Sequence, residues 1–207
     1  MKKFLYKAWA RFLTAFGNVK LFRWPFFLVY DPDDYGVTGQ KTLQLLETLR
    51  PGDVLLRGYV HYLDGMFIPG DYSHGAIYAG DGKIIHAVAK GVSYVDAVEF
   101  LRCDRIAVMR PARGQDEAVA YARKCVDDKV PYDFGYHRGV SSLYCFELVG
   151  EAYKGLDLPL KTVKMLLGFL KRKNVYLADS FFESKDFERV FEFNPARKTD
   201  FVKEGLP

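Results

Sequence analysis

One hairpin constrains this chain more than any other feature. Residues 74–79 and 83–89 are two apolar runs of strand composition, joined at Gly80-Asp81-Gly82. Glycines around a turn this short supply the backbone freedom that tight antiparallel connections need. The predicted pairing sets His74 and His86, 12 residues apart, side by side on one face of a sheet. Further strands are predicted at 53–57 after the Pro51-Gly52 turn, at 91–95, and at 105–110, where Pro111 stops the run. Helical periodicity marks 39–49, one or two turns at 97–102, 115–127 with Ala118, Ala122 and Cys125 on one face, and 144–155 with Cys145, Val149, Ala152 and Leu156 on one stripe. A helical stretch near 161–172 followed by short strands is predicted for the remainder. Neighbouring strands plus helices to cover them make an α+β fold, an antiparallel sheet packed against the helix that begins at Cys145.

Length allows one domain with a small appendage: 207 residues suffice for a sizeable core. The appendage is predicted at residues 1–36, with 37–207 as the main domain. Charge separates the two. The first 30 residues hold Lys2, Lys3, Lys7, Arg11, Lys20 and Arg23 and no acid, so with a net charge of +4 the other 177 residues sum to −2. Within residues 3–16, Leu5, Trp9, Phe12, Leu13 and Phe16 share one helical face, opposite Lys3, Lys7 and Arg11, and Gly17-Asn18 is a stop signal. Such a face suits the plane of a membrane interface, or packing on its own domain or a second subunit. Six basic residues beside a mildly acidic body are too thin a footprint for nucleic acid. No apolar run reaches the roughly 20 residues of a membrane span, and Lys7 and Arg11 interrupt any signal-peptide core. A cytoplasmic location is expected, with peripheral contact at the membrane surface through residues 3–16 as one of these readings of the helix.

Three cysteines, Cys103, Cys125 and Cys145, without paired spacing suggest neither a disulfide framework nor a zinc site. Four scattered histidines give no ligand spacing, and no metal or cofactor is expected. Cys103, Cys125, His61 and His137 are assigned structural or surface roles, and Asp53 and Asp133 turn roles. A lone cysteine on a buried stripe is ordinarily a small core residue. Cys145 differs by its place at a helix start, where unpaired N–H groups and the helix dipole favour a thiolate and can stabilise an oxyanion. With His74 opening a strand and His86 on the partner strand, a thiol, a base and an orienting group form a nucleophilic triad. Tyr72 and Tyr132 are candidates to line the cleft and bind substrate.

The segments Pro51-Gly52-Asp53-Val54-Leu55-Leu56, Tyr72-Ser73-His74-Gly75-Ala76-Ile77-Tyr78, Gly80-Asp81-Gly82-Lys83-Ile84-Ile85-His86-Ala87, Pro131-Tyr132-Asp133-Phe134 and Tyr144-Cys145-Phe146-Glu147-Leu148-Val149 together resemble the YiiX/YebB-like branch of the NlpC/P60 superfamily, over roughly residues 50–155. The resemblance implies a permuted papain-like fold in which the histidine strand precedes the cysteine helix. It implies Cys145 as nucleophile, His74 as base and His86 in the third polar position. Two departures stand out. Phe146 follows the cysteine where serine is common, and His86 replaces a frequent glutamate, as in the permuted lipid acyltransferases of the superfamily. The expected function is thus a thiol-dependent hydrolase or acyltransferase acting on an amide or ester bond of a lipid-like substrate through a thioester. The alternatives are an amidase or peptidase on peptide or cell-wall fragments, and a non-catalytic lipid- or peptide-binding module.

Overall fold

A computed structural model describes residues 2–16, 20–22, 27–29, 35–60, 70–137, 141–164, 172–195 and 199–202. The chain opens with helix α1 (Lys2–Phe16) and a hairpin of β1 (Lys20–Phe22) and β2 (Phe27–Val29). Then follow α2 (Gly39–Thr48), β3 (Val54–Gly58), β4 (His74–Gly80), β5 (Lys83–Val88), β6 (Gly91–Asp96), α3 (Ala97–Phe100) and β7 (Arg105–Pro111). The last elements are α4 (Gln115–Asp127), α5 (Cys145–Ala152), β8 (Lys161–Lys164), β9 (Arg172–Val175), α6 (Ala178–Phe182), β10 (Phe187–Asn194) and β11 (Thr199–Val202). Gly17, Asn18 and His61 lie outside the described residues.

Seven strands form one wholly antiparallel sheet in the order β11-β10-β7-β3-β4-β5-β6. The predicted hairpin is β4–β5, and its turn places Gly80, Asp81 and Gly82 at φ of 92°, 51° and 67°. Strand alternation sorts the core into two layers. Val54, Leu56, Ile77, Ala79, Ile85 and Ala87 face α4 and α5, and Leu55, Ala76, Tyr78, Ile84, Ile106 and Val108 face α2 and α3. The sheet is therefore covered on both faces, which explains why β3, β4 and β5 read as continuous apolar runs rather than alternating ones.

Of the helix expected near 161–172, residues 165–171 lie outside the described residues, and the two ends are strand instead. Residues 161–164 are β8, paired antiparallel with β9 from Lys161↔Val175 to Lys164↔Arg172. Pairing with a strand eight residues further on overrides the local apolar periodicity of this stretch. Asp53 does more than make a turn. It is 1% exposed, accepts from the Arg50 N–H and forms a two-pronged ion pair with Arg110 at 2.8 and 2.7 Å, which ties the β3 entry to β7.

Helix α1 meets the rest of the chain through Tyr6. Its hydroxyl donates to the Tyr132 carbonyl at 2.9 Å, and its ring lies edge-on to Phe134.

Candidate active site

Helix α5 is hydrophobic nearly all round, and residues 145–150 are buried. Both of its ends are anchored. At the start, the Tyr144 hydroxyl accepts from the Tyr176 N–H at 2.8 Å, and at the end the Tyr153 hydroxyl donates to the Gly52 carbonyl. Against β4, the Phe146 ring occupies the space that Gly75 leaves by lacking a side chain: a Cβ there would stand 2.7 Å from the ring. This contact gives Phe146, where the family resemblance leads one to expect serine, a physical reason. It also lets the first turn of α5 lie directly on the β4 backbone.

The Cys145 sulfur consequently sits beside the opening of β4. The thiol donates to the Ser73 carbonyl at 3.9 Å, and the sulfur accepts from the backbone N–H groups of Gly75, Phe146 and Cys145 itself and from the Tyr132 hydroxyl. Ser73 and Gly75 flank His74, so the sulfur rests against the backbone on both sides of that residue. The His74 side chain projects to the sheet face opposite α5. On β5, His86 stands opposite Ala76, a diagonal neighbour of His74 on the same face. His74 Nε2 and His86 Nδ1 are 3.1 Å apart. Both rings rest on Phe100, at 5.8 and 5.9 Å between centroids, and the Arg57 guanidinium lies 4.3 Å from the same ring while donating to the Phe100 carbonyl.

Electrostatics follow from this burial. Desolvation holds the His74 pKa well below the ordinary histidine value, assisted by the Arg57 charge and by His86. Desolvation and Arg57 bring His86 down to about 3. Both rings are therefore neutral at pH 7. Burial also raises the Cys145 pKa, and the backbone and Tyr132 hydrogen bonds offset only part of the rise. The thiolate expected from the helix dipole is thus not the resting state, because removing the sulfur from water outweighs the helix start. The resting pair is a neutral thiol and a neutral imidazole, and the thiol's hydrogen bond goes to a carbonyl rather than to a ring nitrogen.

Tyr132 reaches the sulfur from the 131–137 loop. Asp133 shapes that loop by accepting from the N–H groups of Gly135 and His137. Burial, with Tyr136 and Cys145 as neighbours, pushes the Tyr132 hydroxyl well above its usual range, so it stays a donor at every working pH. Tyr72, expected in the cleft, lies in the core instead: it is 1% exposed, with its hydroxyl on Glu192 at 2.6 Å. Cys103 is fully buried, with its pKa pushed up to about 12, and Cys125 is buried on the α4 face. His137 stands beside Asp133 at the surface. Sequence reasoning missed Arg57 and Phe100. The strand alternation that pairs residue 57 with His74 was the available signal for Arg57.

Comparisons with known proteins identify the family and the fold. The profile of a family described as permuted papain-like amidase enzymes, YaeF/YiiX, C92 family, matches residues 48–191. Protein OPG091 of Variola virus is 25% identical over 167 residues, which span 73% of this chain and 91% of that protein. The crystal structure of the metalloprotein yiiX from Escherichia coli O157:H7 superimposes with a TM-score of 0.58 at 16% identity, covering 75% of this chain and 99% of that one, a likeness of fold. Among the described residues here, no three His, Cys, Asp or Glu side chains gather into a metal-ion ligand set.

Proposed function

This chain belongs to the permuted papain-like amidase family and is a cysteine hydrolase; from that premise we propose that Cys145, His74 and His86 form its catalytic triad and that it cleaves or transfers the acyl group of a lipid-like substrate. The observation that carries the site assignment is the Cys145 sulfur lying against the backbone on either side of His74, whose ring is bonded to His86. With His74 Nε2–H donating to His86 Nδ1 across the 3.1 Å contact, the tautomer is fixed and His74 Nδ1 is left as the base. Because the His74 side chain lies on the face opposite α5, a rearrangement of its side chain at the start of β4 must carry that nitrogen round to the thiol. The base takes the proton as sulfur attacks the acyl carbonyl, so the ion pair forms during the step and not before it. The N–H groups of Cys145 and Phe146 and the Tyr132 hydroxyl, already aimed at the sulfur, are donors for the developing oxyanion. The leaving group receives the proton, and water or an amine or alcohol resolves the thioester.

Support for a lipid-like acyl group comes from histidine in the third polar position and from the exposed aromatic helix α1. The description of the family as amidases favours an amide as the scissile bond and keeps a peptide amide as the second reading. We treat residues 1–36 as an arm and 37–207 as the catalytic unit, with Val37 joining the unit through the Cys103 carbonyl. The test is mass spectrometry of the full chain after incubation with an N-acyl amide, a phospholipid and a peptide amide. An acyl adduct on Cys145 from a lipid substrate, absent in Cys145→Ala, is expected. Turnover of the peptide alone would overturn the lipid assignment, and turnover by Cys145→Ala would overturn the nucleophile.

A further inference from the structure

Helix α1 carries Lys2, Lys3, Lys7 and Arg11 and no acidic residue. At 100° per residue, its side chains fall into three sectors. Tyr6, Ala10 and Leu13 form one, and it faces the rest of the chain: Tyr6 is bonded to the Tyr132 carbonyl, and Ala10 and Leu13 are half-buried. Lys7 and Arg11 form a second. Leu5, Trp9 and Phe12 form the third, and they stand 59%, 36% and 52% exposed, with Trp9 stacked on Phe12 at 5.4 Å. Single exposed apolar side chains are ordinary, but two stacked aromatics and a leucine on one stripe mark a contact surface.

Charge selects the occupant. A second copy docking symmetrically would set one cationic α1 against another. An anionic bilayer is complementary to the basic sector and accepts the apolar one, and aromatic side chains favour the depth of the headgroups. We propose that α1 is a docking surface for an anionic lipid bilayer. The clamp gives the contact a place in the proposed function. Tyr6 holds the loop from Tyr132 to Phe134, and Tyr132 reaches the Cys145 sulfur, so the bilayer lies beside the cleft. Binding itself does not depend on the catalytic assignment.

The test uses the full chain with vesicles of phosphatidylcholine alone and of phosphatidylcholine mixed with phosphatidylglycerol. Each basic residue at such a surface strengthens binding about fivefold. Binding to the mixed vesicles is therefore expected to be tighter by a factor on the order of ten or more, and to fall at high salt. Trp9 emission shifts to the blue and is quenched by brominated lipid, and the quenching disappears in Trp9→Phe while binding remains. Leu5→Ser/Phe12→Ser loses binding on the order of tenfold with an unchanged melting temperature. Equal binding to both vesicles, or full binding by the double variant, would overturn the proposal. So would a lowered melting temperature in the double variant, which would mean the stripe packs on the domain, or a dimer in light scattering that the same variant dissolves. Cys145→Ala binds vesicles like the parent chain, which separates failure of this proposal from failure of the catalytic one.

Discussion

Helices α5 and α1 carry similar apolar side chains and meet opposite fates. In α5, residues 145–150 are buried and both ends are held by tyrosine hydroxyls. In α1, Leu5, Tyr6, Trp9 and Phe12 stay exposed, Leu13 is half-buried, and Tyr6 bonds to the Tyr132 carbonyl. Periodicity states which side of a helix is apolar and not what covers it. In α5 the cover is a glycine on a neighbouring strand that lets an aromatic ring onto the backbone.

The largest test of this contrast removes the reactive atom. Cys145→Ala should lower acyl turnover about 10³-fold or more while leaving the fold intact, because alanine fills most of the space. Retained turnover would show that α5 is only a core helix. Next, Phe146→Ala should cost about 3–5 kcal/mol in denaturant unfolding, the usual loss for a buried aromatic. A loss below about 1 kcal/mol would mean that the Gly75 contact does not hold α5.

Acid sharpens the comparison further. His74 and His86 have folded-state pKa values below the unfolded value of 6.5, so the unfolded chain binds more protons there. Stability is therefore full above pH 6.5 and falls as pH drops, with His86 contributing to the loss down to about pH 3. His86 should weaken the fold by about 1.4 kcal/mol per pH unit within that window, and His74 adds to the loss in the same direction. Arg57→Gln should shrink this acid sensitivity, since the Arg57 charge helps hold both values down. An unchanged slope would remove Arg57 from the account. Smallest is the effect expected at α1: Leu5→Ser should shift unfolding by less than about 0.5 kcal/mol, as at other exposed positions.

Much of this was legible in the residues. The β4–β5 hairpin announced itself in Gly80-Asp81-Gly82, and α4 falls at 115–127 as periodicity required. The α5 start at Cys145 could be read because Tyr144 opens a clear apolar stripe. What could not be read depended on distant partners. The helix expected near 161–172 begins at residues 161–164, which form a strand through their pairing with β9. Tyr72 looked like a cleft residue because its hydroxyl acceptor, Glu192, lies 120 residues away. The protonation of Cys145 was misjudged for a related reason: a helix start is a local signal, whereas desolvation is set by every element packed around the sulfur.

That neutral, enclosed sulfur bears on how the protein meets oxidants. Peroxides attack thiolates, and the first product is a sulfenic acid on an exposed, low-pKa cysteine. Cys145 is 2% exposed and protonated at rest, and Cys103 and Cys125 are buried as well. On the proposed assignment, Cys145 should therefore survive peroxide that inactivates enzymes with preformed thiolates, and become vulnerable only in the turnover state, when His74 has drawn off its proton.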